Sequence, residues 1–445
     1  MTLIPAGGAP AFPHPQARLV VAGEPGGLGG DELAGQVARA AEALSRLRPG
    51  PLFCGMRNTL TSVLRYLAAW RSGRPIALLD PDLPAATLAD LAARFRPAAL
   101  LGFTHAADGS PPARRDVPDP HADLAVLLAT SGSTGNPKLV RLSRRAVQAN
   151  AEAIATALTI TPGETAPTSL PLHYSYGLSV LNSHLAAGAT VVLTEAGLLE
   201  RSFWTHLDAH RCTSLAAVPY QYEMLRRLRY DRAEHPTVAT LTQAGGRLSP
   251  ELTKEFAAQA DRFFVMYGQT EATARIAVLP PDRLTDKPGS VGPALPGGRL
   301  HVDAGEIVYH GPNVMMGYAE TAADLARGDD LGGVLRTGDL GHLDAEGFLY
   351  VTGRLKRIAK IFGVRVNLDD VERLLRGSVP VAATSGDDRV TVWAEGLDAA
   401  GCAGLARRLG AALRVHWSGF DVRAVDRLPL LPTGKIDYRA LEART

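Results

Sequence analysis

Residues 124–138 read LAVLLATSGSTGNPK, and they carry most of the information about this chain. The apolar run at 124–129 is typical of a buried strand. Hydroxyl and glycine residues then alternate up to Lys138. Such small side chains leave backbone N–H groups open to a polyanion, and the lysine adds a point charge. The stretch therefore predicts a phosphate-binding loop directly after a buried strand.

This loop differs from the P-loop of kinases and ATPases. A P-loop would place a glycine directly before the lysine and a hydroxyl residue directly after it. Here Pro137 precedes Lys138 and Leu139 follows it. The spacing and the missing hydroxyl exclude the P-loop class.

On both sides of the loop, segments with helical spacing alternate with short apolar runs. ELAGQVARAAEALSRL at 32–47 is one such helix, and PIALLD, ATVVLTE and RFFVMYG are such runs. This alternation predicts a mostly parallel α/β sheet. After residue 300 the strands become shorter and the turns richer in Gly and Pro. Residues 1–30 are rich in Gly and Pro and are predicted to form a loosely tied edge.

Composition excludes several classes of protein. With 47 Lys plus Arg against 45 Asp plus Glu, the formal net charge is +2, which argues against a nucleic-acid binder with a broad basic face. No apolar run reaches the roughly 18 residues of a membrane span, and the first residues do not resemble a secretory signal. Cys54, Cys212 and Cys402 are too scattered for a disulfide framework or a zinc site. We expect a cytoplasmic protein with no nucleic-acid or membrane partner.

Four further motifs follow the loop in order. They are YGQTE at 267–271, RTGD at 336–339, GRLK at 353–356 and LPTGKI at 431–436. With the loop, they resemble the motifs of the adenylate-forming superfamily, which includes acyl- and aryl-CoA synthetases, luciferases and nonribosomal-peptide adenylation domains. The resemblance covers about residues 50 to 440.

This resemblance implies an α/β fold with two domains. Residues 1–353 would form a large N-terminal domain of layered α/β sheets, and residues 354–445 a small mobile α+β domain. Lys356 would be the hinge, and the active site would lie in the cleft between the domains. After the first reaction step the small domain would rotate and bring the loop with Lys360 and Gly363 to the site for thioester formation.

The activity implied by the resemblance is that of an ATP-dependent, AMP-forming acid–thiol ligase. It would convert a carboxylic acid to an acyl-adenylate with release of pyrophosphate, and then transfer the acyl group to coenzyme A or to the phosphopantetheine of a separate carrier protein. Alternatives are an amide synthetase, activation of an oxyanion other than a carboxylate, and a non-catalytic nucleotide binder. The last is disfavoured because Lys435, Glu271 and Asp339 are all present.

The resemblance also assigns roles at the nucleotide site. The residues that would bind the β- and γ-phosphates of ATP are Thr130, Ser131, Gly132, Ser133, Thr134, Gly135 and Lys138. Thr270 would hydrogen-bond the α-phosphate, and Glu271 would hold Mg²⁺. Lys435 would bridge the substrate carboxylate and the α-phosphoryl oxygens in the transition state.

The nucleoside would be bound by other motif residues. Tyr267, followed by Gly268, would stack on adenine, and Gly245 and Gly246 would line the opposite side. Asp339 would accept both ribose hydroxyls, and Arg354 would support the same sugar.

The acid substrate is less well determined. The candidate contacts are His173, Tyr174, Tyr176, Val218, Tyr220 and Thr273. His173 and Tyr174 occupy the segment that often borders the acyl carboxylate, but core packing is an equal alternative for either. The pocket segments lack the Asp with which relatives that activate amino acids hold the ammonium group, and Phe362 and Asn367 also depart from the peptide-synthetase pattern. We therefore predict an aryl or medium acyl acid.

Overall fold

The structure is a computed structural model that describes residues 12–105, 117–129, 138–362, 364–375, 377–386, 388–431 and 435–444. Several predicted phosphate and acceptor residues lie outside these ranges, namely Thr130, Ser131, Gly132, Ser133, Thr134, Gly135 and Gly363. The side chain of Lys356, the predicted hinge, also lies outside the described part of the chain.

Short strands are distributed along the whole described chain. They are β1 (Arg18–Val21), β2 (Leu28–Gly29), β3 (Leu52–Gly55), β4 (Ile76–Leu79), β5 (Ala99–Leu101), β6 (Leu124–Ala129), β7 (Leu139–Ser143), β8 (Thr165–Pro167), β9 (Thr190–Leu193), β10 (Ser214–Ala217), β11 (Thr240–Gln243), β12 (Arg262–Tyr267), β13 (Ala277–Leu279), β14 (Arg299–Asp303), β15 (Glu306–His310), β16 (Gly317–Ala319), β17 (Val334–Leu343), β18 (Leu349–Arg354), β19 (Ile358–Ile361), β20 (Val364–Asn367), β21 (Val381–Gly386), β22 (Arg389–Glu395) and β23 (Phe420–Val425).

Helices separate many of these strands. They are α1 (Gly30–Ser45), α2 (Leu60–Arg71), α3 (Ala85–Phe95), α4 (Arg144–Ala157), α5 (Ser175–Ala186), α6 (Arg201–Ala209), α7 (Pro219–Arg227), α8 (Pro250–Ala257), α9 (Leu368–Leu375), α10 (Ala399–Leu413) and α11 (Tyr438–Glu442). Side-chain hydrogen bonds cap the N-termini of several helices. The Thr59 side chain accepts from the Ser62 backbone N–H before α2, and the Asp398 side chain accepts from that of Gly401 before α10.

The chain divides into two compact units. The first comprises Met1–Pro288, Ala294–Arg299 and His310–Leu335, and the second comprises Gly289–Pro293, Leu300–Tyr309 and Arg336–Thr445. The second unit takes up two earlier segments because β14 and β15 join β17 and β18 in one sheet, in the order β14-β15-β17-β18. The sequence analysis places the boundary between the large domain and the small mobile domain between Gly353 and Arg354. Because that boundary concerns a movement, it stays a prediction.

The first unit is built from three sheets, whose described strands follow the orders β2-β1-β9-β8, β10-β11-β12-β13 and β16-β7-β6-β4-β3-β5. In the last of these, β3, β4, β5 and β6 are parallel, and β7 is antiparallel to β6. The four residues of β3 and of β4 are all buried, as the continuous apolar runs predict. The mixed α/β fold predicted from the sequence is confirmed.

One prediction about the N-terminal region is wrong. Residues 18–21 form β1, which pairs in parallel with β9 along its full length, so this part is not a loosely tied edge. Ala17 and Leu19 are fully buried. The physical reason is the apolar run LVV: Leu19 is buried in the core that includes α1 and β9, and Val20 in a second core with Val192, which outweighs the Gly- and Pro-rich surroundings.

In the second unit, β19 pairs with β20, and β21, β22 and β23 form a further sheet. Apolar side chains of α9 and α10 pack on these strands and form a separate core. Among the described residues, none of the helices combines the length and apolar character that a membrane crossing requires. Cys54, Cys212 and Cys402 are buried free thiols, and burial raises the pKa of Cys212 to about 12.

Candidate active site

The turn after β12 carries the predicted catalytic pair. The chain leaves β12 at Tyr267, passes Gly268 and enters a short 3-10 helix at Thr270–Ala272. A Cβ at Gly268 would lie only 1.9 Å from the carbonyl oxygen of Ala274, so the chain folds back on itself where only glycine fits. The turn therefore fixes the position of Thr270 and Glu271.

Both side chains of the pair have partners within the first unit. Thr270 Oγ1 donates to Ser175 Oγ, at the start of α5, over 3.2 Å. Glu271 Oε1 accepts from the Tyr318 hydroxyl over 2.7 Å. Burial and the neighbouring Glu271 carboxylate raise the pKa of Tyr318, so its hydroxyl stays a donor. The Glu271 carboxylate is thus oriented by the Tyr318 hydroxyl through Oε1.

Strand β16 connects Lys138, the lysine of the predicted phosphate loop, with the region around Glu271 and Tyr318. Lys138 directly precedes β7, and β7 pairs with β16 so that Val140 lies opposite Tyr318. Lys138 Nζ forms an ion pair with Glu320 Oε1 at 2.6 Å. Lys138 and Glu271 thus contact two side chains that are two residues apart, Glu320 directly after β16 and Tyr318 within it. This arrangement brings the lysine and the carboxylate predicted to hold Mg²⁺ into one region.

The predicted adenine contacts lie at the ends of two parallel neighbours. β11 ends at Gln243 and β12 at Tyr267, and the two strands pair in parallel register. After β11, Gln243 Nε2 donates to the Gly246 carbonyl oxygen over 2.6 Å, and Gly245 has a φ of +86°. The structure thus brings Gly245, Gly246 and Tyr267 to the same edge of the sheet, where open α/β sheets bind their ligands.

Asp339 and Arg354 are direct partners in the second unit. They lie opposite each other in the β17–β18 register, and Arg354 Nε is 3.2 Å from Asp339 Oδ1. The Asp339 side chain is only 11% exposed, whereas that of Arg354 is 63% exposed. The carboxylate is thus nearly buried beside an exposed cation, and the role of this pair in ribose binding stays a prediction.

The remaining lysine motifs also lie in the second unit. The carbonyl oxygen of Lys435 accepts from the backbone N–H of Leu431 over 2.7 Å, which closes its loop. Lys360 is exposed on β19, opposite Arg365 in the register with β20. Lys356 belongs to the 3-10 turn Leu355–Arg357 that joins β18 to β19. Lys360 is thus exposed and Lys435 is half-buried, and the roles of these lysines stay predictions.

A buried ionic cluster lies beside these motifs. Arg357 Nη2 is 2.6 Å from Glu372 Oε1, and Arg357 Nε is 2.7 Å from Asp369 Oδ1. The Tyr438 hydroxyl donates to Glu372, and its ring lies 4.1 Å from the Arg357 guanidinium carbon. The cluster therefore ties the residue after Lys356 to α11, three residues beyond Lys435.

The six substrate candidates do not all share one place. Tyr176 and Val218 are each 2% exposed and pack in one core cluster, and the Tyr176 hydroxyl bonds to the backbone oxygen and Oγ1 of Thr242. Tyr220, by contrast, is 37% exposed at the start of α7. Thr273 is buried and donates to the Asn313 carbonyl oxygen over 2.6 Å. The structure thus brings Tyr176 and Val218 together, and Tyr174 packs against the same cluster.

His173 and Tyr174 are largely buried just before α5. His173 Nδ1 lies 3.4 Å from the Met56 carbonyl oxygen, and burial lowers the pKa of this imidazole. Burial raises the pKa of Tyr174 to about 12, and its ring lies edge-on to that of Tyr176 with a centroid distance of 6.4 Å. Both therefore stay neutral near pH 7, and their contact with a substrate stays a prediction.

The sequence analysis missed Arg275. This residue is 3% exposed, and its guanidinium carbon lies 4.3 Å from the centroid of the Tyr176 ring. A charged residue between two apolar residues in the run ARIAVL, four positions after Glu271, is the signal that could have identified it. Buried arginines are rare, so such a position indicates either an ion pair or a ligand.

The geometry defines a class of fold: an α/β protein in which the predicted nucleotide contacts Gly245, Gly246 and Tyr267 lie at the carboxyl ends of two parallel strands. The chain belongs to the AMP-binding enzyme family, whose model matches residues 11–319. This match confirms the predicted superfamily.

Curated relatives agree with the predicted ligase class. Feruloyl-CoA synthase from Amycolatopsis is 29% identical over 82% of this chain and 78% of that enzyme, and sulfoacetate–CoA ligase from Cupriavidus necator is 29% identical over 92% and 87%. Oxalate–CoA ligase from Arabidopsis thaliana is 29% identical over 57% of this chain, which spans about half (52%) of that enzyme.

Solved structures share the fold. o-Succinylbenzoate coenzyme A synthetase from Bacillus subtilis, in complex with ATP and magnesium ion, has a TM-score of 0.76 at 24% identity and covers 94% of each chain. ATP-bound MatB from Rhodopseudomonas palustris has a TM-score of 0.79 at 23% identity, over 97% of this chain and 96% of that one.

Proposed function

We propose that this chain activates a carboxylic acid with ATP and then passes the acyl group to a thiol. In the first step a carboxylate oxygen attacks the α-phosphorus of ATP, and the bond to pyrophosphate breaks. In the second step a thiol sulfur attacks the acyl carbon, the bond to AMP breaks, and the thiol proton is released. The observation that carries the proposal is the Gly268 turn, which presents Thr270 and Glu271 beside the strand that pairs with the Lys138 segment.

Each group in this arrangement has a task in the first step. Two anions must meet, so the site has to neutralise charge and align the attack. Thr270 would donate to the α-phosphate, and Lys138 would leave Glu320 to bind the outer phosphates. Asp339 would hold the ribose hydroxyls. Lys435 would bridge the carboxylate and the α-phosphoryl oxygens.

The residues present also fit a magnesium ion that arrives with ATP. Among the described residues, no group of three or more His, Cys, Asp or Glu could hold a metal without a ligand. Mg²⁺ prefers one or two carboxylates together with phosphate oxygens, and Glu271 supplies one such carboxylate. When bound, the ion would neutralise phosphate charge.

The thiol acceptor and the domain movement are both proposed from the resemblance to the adenylate-forming superfamily. Coenzyme A is the acceptor we favour, because the relatives are named as CoA ligases and synthases; a carrier protein that presents phosphopantetheine is the alternative. Residues 354–445 would move between the steps about Lys356, and Lys360 and Gly363 would then border the thiol.

The relatives' names leave the acid open. They range from an aryl acid, in feruloyl-CoA synthase, to small acids with two anionic groups, in the ligases for oxalate and sulfoacetate. The predicted aryl or medium acyl acid is therefore retained as a proposal.

The test is exchange of labelled pyrophosphate into ATP over a panel of aryl, fatty, dicarboxylic and amino acids. We expect exchange with one class of acid, its loss in Lys435→Ala, and an acyl-CoA product detected by mass spectrometry when coenzyme A is added. Lys254→Ala is the matched control, because Lys254 is exposed on α8 outside every motif. Exchange at wild-type rate in Lys435→Ala would contradict the assignment. Acid-dependent amide formation without a thioester would favour an amide synthetase.

A further inference from the structure

A cavity of about 30 Å³ lies inside the first unit, between α4, α5 and strands β10 to β12. Its lining includes Tyr176, Ser179, Thr242, Met266 and Arg275. At about 10–15 Å³ for each water-sized sphere, this volume suits two or three heavy atoms. A carboxylate or a similar small anionic group is of that size.

Arg275 places an uncompensated positive charge on the wall of this cavity. Its Nη2 donates to Ser179 Oγ over 3.1 Å, its guanidinium stacks over Tyr176, and its Nε has no hydrogen-bond partner. Within the part of the chain that the structure describes, no carboxylate forms an ion pair with it. Burial lowers the pKa of Arg275, yet an arginine remains a cation in proteins.

Arg141, a second fully buried arginine, is an example of an arginine with a structural role. Arg141 pairs with Asp330 at 2.5 Å and also donates to the carbonyl oxygens of Met316, Arg327 and Gly328. A buried charge is costly unless it is paired and hydrogen-bonded, and Arg141 has an ion-pair partner within the protein, although its Nε, like that of Arg275, has no hydrogen-bond partner. Arg275 differs because no carboxylate among the described residues pairs with it, so an anionic ligand would supply the missing charge.

The other charged groups of the cavity do not provide this partner. Glu164 Oε1 pairs with Arg262 at 2.8 Å, and Glu164 Oε2 accepts from Thr213. His184 is buried with its Nδ1 2.8 Å from the Val180 carbonyl oxygen, and burial lowers the pKa of its imidazole, so it adds no charge near pH 7. Apart from the internal Glu164–Arg262 pair, the described lining therefore has one net positive charge, at Arg275.

Sequence neighbours tie the cavity to the proposed nucleotide site. Met266 precedes Tyr267, Thr242 precedes Gln243, and Ser179 is one helical turn beyond Ser175, the partner of Thr270. Three walls of the cavity, formed by α5, β11 and β12, thus belong to elements that lead to predicted nucleotide contacts or to the partner of Thr270. An acid whose reacting carboxylate lies at Thr270 would direct its far end toward these walls.

We propose that the acid activated by this chain carries a second anionic group, which Arg275 binds in the cavity beside Tyr176 and Ser179. This inference rests on the proposed adenylation activity and narrows its substrate to acids with two anionic ends. Arg275 is a specificity residue in this assignment, because it binds the end of the substrate that does not react.

The test compares matched acids that differ only in the second group: adipate with hexanoate, and benzene-1,4-dicarboxylate with benzoate. The readout is kcat/KM for pyrophosphate exchange in the wild type and in Arg275→Met and Arg275→Lys. The wild type should prefer one diacid over its monoacid by at least about 100-fold, since a buried polar group left unpaired is strongly rejected. Arg275→Met should abolish that preference through a higher KM for the diacid, and Arg275→Lys should restore part of it.

The matched control is Arg144→Met. The Arg144 guanidinium also lies 4.3 Å from an aromatic ring, that of Trp70, but it does not line the cavity. This variant should keep the wild-type preference. If Arg275→Met does not fold, Ser179→Ala, which releases the guanidinium, should lower the preference instead.

Failure of the inference and failure of the proposed function give different results. Exchange that is as fast with each monoacid as with its diacid would overturn the assignment of Arg275 while leaving adenylation intact. Absence of exchange with every acid, together with absence of ATP binding by calorimetry, would overturn the proposed function and the inference with it. A preference for the diacid that survives in Arg275→Met would show that Arg275 is merely structural.

Discussion

Replacing Gly268 with alanine tests whether the turn after β12 sets the catalytic geometry. The new Cβ would lie 1.9 Å from the Ala274 carbonyl oxygen and 2.8 Å from Arg275 Cα. Ordinary contact begins at 3.4 Å, so the backbone must shift by about 1.5 Å. A misplacement of about 1 Å costs on the order of 100-fold in rate, and overpacking costs about 1–3 kcal/mol of stability.

The assay is pyrophosphate exchange with the preferred acid, together with urea unfolding. We expect Gly268→Ala to lose at least about 100-fold in exchange rate while remaining folded. The matched control is Gly404→Ala on α10, where a Cβ meets nothing within 4 Å; it should exchange normally and gain about 0.5–1 kcal/mol in stability. Exchange by Gly268→Ala within about threefold of the wild-type rate would refute the view that this turn positions Thr270 and Glu271.

Two further predictions concern stability. Glu372→Gln should lower the free energy of unfolding by about 3 kcal/mol in urea titrations, because it removes the buried partner of Arg357; a change below about 1 kcal/mol would mean that Asp369 alone satisfies the guanidinium. Burial lowers the pKa of His184, so the unfolded chain takes up a proton that the folded chain resists. Stability should therefore fall as the pH drops from about 6.5 through the folded pKa. His184→Gln should flatten the dependence of the urea midpoint on pH between 7 and 5, and an unchanged slope would contradict this.

Local pattern was enough to predict the class of fold. Apolar runs are visible one segment at a time, and β6 and β12 lie where the runs at 124–129 and in RFFVMYG predicted strands. Tyr176 lines the cavity in the first unit, and its predicted contact with the acid stays a prediction.

What the sequence could not provide depends on contacts between distant segments. The apolar run around Arg275 is only a weak local signal, and its meaning depends on surroundings in which the described residues provide no carboxylate partner. Tyr220 is exposed because α7 turns it outward. The second unit takes up β14 and β15 through strand pairing with β17, which no local pattern predicts.

The buried thiols have a practical consequence for spectroscopy. Because Cys54, Cys212 and Cys402 are all shielded from solvent, cysteines introduced at exposed positions would react with dyes far faster than the native thiols. Leu199, which is 67% exposed, and Gly404 are suitable positions, one in each unit. A donor and an acceptor dye at these two sites would report the distance between the units during turnover, in a chain that needs no prior removal of its own cysteines.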